Sequence, residues 1–140
     1  MTESETYLVQ PIGIVRSTLR SREDAPKQGS EGAPDAWLEI YPAFREALEG
    51  ITPNSEVVVL TWFHQAHREV LKVHPRRDPE RPLSGVFATR SPDRPNPIGL
   101  HRATVLEIDR PRGVRVHPLE AIDGTPIVDI KPILAESRDA

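Results

Sequence analysis

The apolar positions of this chain fall in short runs with a period nearer two than 3.6, and turn residues separate the runs. Tyr7 to Val15 mixes apolar residues with Pro11 and Gly13 and predicts a first strand, with Pro11 at an edge or bulge. Ala36 to Tyr41 predicts a second. Pro42 then opens a helical stretch of at most two turns that ends before Gly50. Val57 to Phe63 is the most apolar run and predicts a central strand. Val70 to Val73 predicts a short strand, and Val86 to Ala88, bounded by Gly85, a short buried one. Ile98 to Ile108 predicts a longer strand bent at Gly99, with Gly113 to His117 as its hairpin partner across Asp109 to Arg112. Asp123-Gly124-Thr125-Pro126 is a strong turn signal, after which Ile127, Val128 and Ile130 form a last strand stopped by Pro132. Many short strands, little helix and frequent turns predict a mainly all-β barrel or sandwich, largely antiparallel, with one or two short helices.

Length adds that 140 residues suit a single domain over 1–140, with polar ends at residues 1–5 and 136–140 that fray. The absence of cysteine excludes disulfides, thiolate metal sites and cysteine nucleophiles, and no His/carboxylate cluster stands at ligand spacing, so no metal is expected. No signal peptide or membrane span follows the polar Met1–Glu5, which agrees with a cytoplasmic protein. A net charge of −3 does not suit a general nucleic-acid binder, but its distribution changes that picture. Residues 72–102 carry 7 Lys/Arg against 3 Asp/Glu, whereas residues 1–71 carry 6 against 11. A local patch able to meet phosphates therefore lies within an acidic whole. The plain alternative is a solvated surface loop.

That basic stretch contains residues 85–100, GVFATRSPDRPNPIGL. Pro92, Pro95 and Pro97 fix their own φ and bias the residues before them towards extended backbone, so the segment is a stiff loop bearing Arg90, Arg94 and the Asn96 carboxamide. Rigid loops on a scaffold carry binding groups; from spacing alone, a proline-rich connection with solvated arginines is an equal reading. The stretch closely resembles the signature of the TsaA-like family, also called the TrmO family, which runs roughly GVFATRSPxRPNPIGL. The resemblance extends to Asp123–Pro132 (DGTPIVDIKP), Pro11–Ser17 (PIGIVRS), Pro26-Lys27-Gln28 and His64-Gln65, in the family's order over nearly the whole chain.

The resemblance implies a methyltransferase that uses S-adenosylmethionine on a β-barrel, with the exocyclic amine of threonylcarbamoyl-adenosine beside the tRNA anticodon as acceptor, and it implies a homodimer. It places cofactor contacts at Pro26, Lys27, Gln28, His64, Gln65, Arg90, Leu100, Asp123, Gly124, Thr125 and Pro126. The candidate catalytic residues are Asn96, Arg94 and Asp129. Arginine suits the cofactor's carboxylate, carboxylates such as Asp123 and Asp129 suit its cations, and loop groups around Thr125 suit an adenine edge. Asn96 offers side-chain and main-chain carbonyls to accept a hydrogen bond from the reacting amine, which would localise its lone pair; Arg94, further out, suits the substrate. The bland counterparts are a His64 that caps a strand, an Asn96 satisfied locally in a turn, and an Asp129–Lys131 ion pair on one strand face.

The chain departs from better-known members of that family. Lys27 stands where arginine is usual, His101 where a small hydroxyl residue is common and Ile133 where an aromatic is common. It also stops soon after the second motif, whereas some relatives continue into a further domain, which bears on tRNA recognition more than on the cofactor. Two other functions stay open at this level: methylation of a small molecule on the same barrel, and a non-catalytic module that binds a nucleotide-like ligand or RNA.

Overall fold

The structure is a computed structural model and describes residues 5–21 and 32–134. Six strands close into an antiparallel barrel: β1 (Gly13–Arg16), β2 (Ala36–Ile40), β3 (Glu56–Trp62), β6 (Ile98–Asp109), β7 (Gly113–His117) and β8 (Pro126–Pro132). Around the barrel the order is β1-β2-β7-β6-β3-β8, and β8 returns to β1 through Gly13↔Ile127 and Ile14↔Pro126. Two further strands, β4 (Lys72–Val73) and β5 (Ser84–Gly85), pair as a separate arm between β3 and β6. The helical stretch after β2 is a 3-10 helix over Pro42–Leu48.

Alternation fixes which side chains fill the barrel. In β3, Val57, Val59 and Thr61 are buried while Val58, Leu60 and Trp62 are only half-buried. The interior is packed by Val15, Leu38, Ile40, Val57, Val59, Val105, Val114, Val116, Leu119 and Ile127. Burial of such side chains contributes on the order of 1.5–3 kcal/mol each and drives closure. The lumen is thus filled, and a ligand must sit on the outer wall or the ends. Gly113 lets the β6–β7 hairpin lie against β2: its φ is 149°, and a Cβ there would stand 1.9 Å from the Leu38 carbonyl oxygen.

Several local expectations change. The first strand is only Gly13–Arg16, with backbone bonds to its neighbours beginning at Ile12; Tyr7, Leu8 and Val9 are exposed and lie outside it. Val86–Ala88 is a 3-10 turn rather than a buried strand: Val86 is buried but Phe87 is 84 % exposed. Of Val70 to Val73, only Lys72–Val73 is strand. β6 runs through Gly99 within a continuous ladder, and its irregularity lies between Val105 and Glu107 instead. Glycine is required at 99 for packing, since a Cβ would come within 2.5 Å of Phe63 Cζ and Thr61 Oγ1.

Candidate functional site

Register brings three sequence motifs to one end of the barrel. Thr61, near the end of β3, pairs with Gly99 at the start of β6 and with Ile127 at the start of β8. The His64-Gln65 turn, the Pro95–Leu100 segment and the Asp123–Pro126 turn therefore emerge side by side. On the outer wall just below, Trp62 lies opposite Ile98, and Leu60 lies between Leu100 and Asp129. Ile98 and Leu100 are 44 % and 46 % exposed, so an apolar strip adjoins the loops.

The loop before β6 is braced by its own arginine. Arg94 donates from Nε to the Ser91 carbonyl (2.9 Å) and from Nη2 to the carbonyls of Thr89 (2.6 Å) and Val86. The half-buried guanidinium faces the loop's own backbone and braces it. Arg90 contrasts with it: the side chain is exposed and makes no hydrogen bond or ion pair with a described residue. His64 is likewise exposed. An exposed guanidinium without a partner among the described residues suits a ligand carboxylate.

A second clasp was not legible in the sequence. Arg68, in the turn after β3, donates from Nε to the Pro95 carbonyl (2.7 Å) and from Nη2 to Asn96 Oδ1 (3.1 Å). Its guanidinium carbon sits 5.1 Å from the centre of the Trp62 ring. The His67 amide donates to Asp93 Oδ1 (2.9 Å) across the same gap. The two loops are thus one unit. Arg68 shares no periodicity with its partners, which lie 27 and 28 residues on. Asn96 itself is exposed, and its main-chain carbonyl accepts from the Ile98 amide (2.7 Å). Both acceptors expected to meet the reacting amine already hold a protein donor.

The third motif is anchored in β1. Asp123 Oδ1 accepts from the Ser17 amide (3.0 Å), and its Oδ2 lies 3.6 Å from Arg16 and 3.4 Å from Arg20. Asp123 thus faces two guanidinium groups as well as a backbone amide. Gly124 turns the chain at φ 87°, and Thr125 is buried with its hydroxyl donating to the Ile122 carbonyl (2.7 Å). Next to this turn lies an open depression of about 270 Å³ lined by Arg16, Ser17, Asp35, Trp37, Arg115 and Asp123.

Of the remaining candidates, Asp129 sits on the outer wall beside Leu60, with Lys131 Nζ 3.3 Å away, so the strand-face ion pair is present. Pro26, Lys27 and Gln28 lie outside the described residues. His101 points inward: it is buried, its Nε2 is 2.8 Å from Thr61 Oγ1, its ring meets Phe63 edge-on, and Glu120 lies 3.6 Å from Nδ1. Arg102 is held on the outer wall by Glu56 (3.2 Å), whose hydrogen bond and charge raise its already high pKa. Among the described residues no three His, Asp or Glu side chains converge as a metal site would need. No helix among them is long and apolar enough to cross a membrane.

Fold and site together define a closed β-barrel with a candidate ligand site on its outer wall and end loops. Comparison with known proteins places that class. Residues 14–139 match the tRNA-methyltransferase O N-terminal domain, and the chain belongs to that TrmO family. It is 43 % identical over 124 residues to a probable S-adenosyl-L-methionine-binding protein of Methanothermobacter thermautotrophicus, covering 89 % of this chain and 88 % of that protein. It is 40 % identical over 124 residues to an S-adenosyl-L-methionine-binding protein of Archaeoglobus fulgidus, covering 89 % and 87 %. The crystal structure of TrmO from P. aeruginosa superposes with a TM-score of 0.75 at 34 % identity over 100 % of this chain. The chain spans 63 % of the length of that TrmO.

Proposed function

We propose that this chain is an S-adenosylmethionine-dependent methyltransferase whose acceptor is the exocyclic amine of threonylcarbamoyl-adenosine in tRNA. The observation that carries the reading is the convergence of the His64, Asn96 and Asp123 segments on one barrel end, with Arg90 exposed in the loop that leads to Asn96 and without a partner among the described residues. The residues fit the cofactor: Arg90 suits its carboxylate, the Ile98–Leu100 strip an apolar part, and the 123–126 turn is a rigid backbone platform for polar edges. When bound, the cofactor supplies an activated methyl group. What the protein must add is alignment of the acceptor, worth many orders of magnitude in rate when the geometry is held rigidly. Arg94 and Arg68 supply that rigidity by bracing the Asn96 loop from both sides. His64, Gln65, Leu100 and the Asp123–Pro126 turn frame the cofactor side in this reading, and Lys27 with Pro26 and Gln28 completes it. Asp129, across Leu60 from Leu100 on the wall, acts on the acceptor amine through its charge in this reading.

The site is an open wall rather than an enclosed pocket, which suits a macromolecular acceptor better than a small molecule. The arm between β4 and β5 carries Arg76, Arg77 and Arg81 around an open depression of about 320 Å³, a natural contact for tRNA phosphates. The exposed Leu71, Leu83 and Phe87 near that arm support a homodimer, and a tRNA acceptor agrees with a cytoplasmic protein. The test is mass spectrometry of nucleosides from tRNA incubated with the protein and S-adenosylmethionine. A gain of one methyl on threonylcarbamoyl-adenosine is the expected outcome. Cofactor binding without methyl transfer to any nucleoside would favour a small-molecule acceptor instead.

A further inference from the structure

We infer that Asn96 meets the methyl acceptor as a hydrogen-bond donor, and that Arg68 is the positioning residue that turns its amide that way. The inference rests on the methyl-transfer reading above and deepens it. Arginine has only donors, so whichever atom of the Asn96 carboxamide faces Arg68 Nη2 must be the oxygen. That leaves the NH₂ group of an exposed side chain turned away from the protein, and it has no partner among the described residues. The main-chain carbonyl of Asn96 is turned to Ile98 and that of Pro95 to Arg68. What this corner offers a ligand without competition is the two N–H bonds of the amide, since each of these oxygens already holds one donor. Pro95 and Pro97 stiffen the backbone on either side, and the Trp62 ring beneath Arg68 keeps the guanidinium in place.

The chemistry of an acylated exocyclic amine calls for such a donor. Its nitrogen lone pair is delocalised into the adjoining carbonyl. It becomes nucleophilic as its proton leaves, and the charge that develops is shared with the carbonyl oxygen. In the reaction a new C–N bond replaces the methyl group's C–S bond, and the amine proton passes to solvent. A fixed amide donor at the carbonyl oxygen stabilises that developing charge. It would also select acceptors that carry a carbonyl beside the reacting nitrogen over bare adenine.

Asn96→Asp separates donor from acceptor, because it keeps the oxygen that Arg68 holds and removes the NH₂. The assay is methyl transfer from S-adenosylmethionine to unfractionated tRNA containing threonylcarbamoyl-adenosine, with kcat and KM determined separately. Asn96→Asp is expected to lower kcat about tenfold or more. Binding of S-adenosylhomocysteine by calorimetry should stay within about twofold of the parent. A parental or higher kcat would overturn the donor role. Arg68 is tested without turnover as well. The chain has only two asparagines, Asn54 and Asn96, so the Asn96 side-chain NH₂ signals are assigned directly by their loss in Asn96→Asp. In Arg68→Ala those signals should collapse towards the positions of a free amide and kcat should fall with KM little changed, whereas Arg68→Lys should recover part of both. Unmoved Asn96 amide signals in Arg68→Ala would overturn the positioning role. A parent that methylates no tRNA refutes the functional reading first and the donor role with it, an outcome distinct from an active Asn96→Asp variant.

Discussion

Arg90 and Arg94 lie four residues apart in one motif, yet Arg94 is bonded to its own loop while Arg90 is exposed, and alanine at each should have different effects. Arg94→Ala removes three charge-assisted hydrogen bonds, to the carbonyls of Val86, Thr89 and Ser91. Bonds to a charged group contribute about 1.5–3 kcal/mol each when fully protected. Arg94 is only half-buried, so water replaces part of what is lost, and a total of about 1–3 kcal/mol is expected. For a chain of 140 residues that is a melting temperature lower by roughly 3–10 °C. Arg90→Ala removes an exposed side chain with no partner among the described residues, so melting should move by about 1–2 °C at most. Its affinity for S-adenosylmethionine should instead fall roughly tenfold to a hundredfold, the loss of one charged hydrogen bond. Scanning fluorimetry and calorimetry on both variants give the four numbers. An Arg94→Ala protein that melts with the parent would refute the brace. An Arg90→Ala protein that binds with parental affinity would refute the assignment of Arg90 to the cofactor.

Other consequences are simpler to read. Gly99→Ala should cost about 1–3 kcal/mol in urea unfolding, because its Cβ has no room beside Phe63 and Thr61; an unchanged midpoint would show that β6 can shift. The Arg76→Ala/Arg77→Ala variant should bind tRNA more weakly and lower the slope of log affinity against log salt by about 0.7–0.9 per lost phosphate contact, with cofactor affinity intact. Arg77→Gly should raise stability by about 0.5–1 kcal/mol, since Arg77 sits at φ 59° where glycine is unstrained, and yet weaken tRNA binding.

The parts of the fold that alternation alone defines were legible: β2, β3, and the β6–β7 hairpin with its turn at 109–113. Barrel closure was not, because it depends on the pairing of Gly13 and Ile14 with residues over a hundred positions later. Tyr7 to Val9 has the composition of a strand but no neighbouring edge to pair with. Val86-Phe87-Ala88 reads as buried in the sequence, yet its turn is fixed from outside by Arg94, eight residues beyond Val86, and Phe87 is left in solvent. The site motifs could be named from the sequence, and the register explains why they meet. Their division of labour could not be read. The contacts of Asp123 with Arg16 and Arg20, and of Arg94 with the loop carbonyls, join groups far apart in sequence or held by loop geometry, and no periodicity announces them. Arg68 carries no signature at all.

The central claim is that the cofactor binds on the outside of one barrel end, and one titration tests it most directly. Amide chemical shifts of the ¹⁵N-labelled protein, followed as S-adenosylhomocysteine is added, should move at residues 64–65, 90, 96–100 and 123–126. They should stay still at the opposite end, around the Asp109–Gly113 hairpin and Glu56. Shifts centred on that opposite end or on the Arg76–Arg81 arm, with the three motif segments unmoved, would contradict the account.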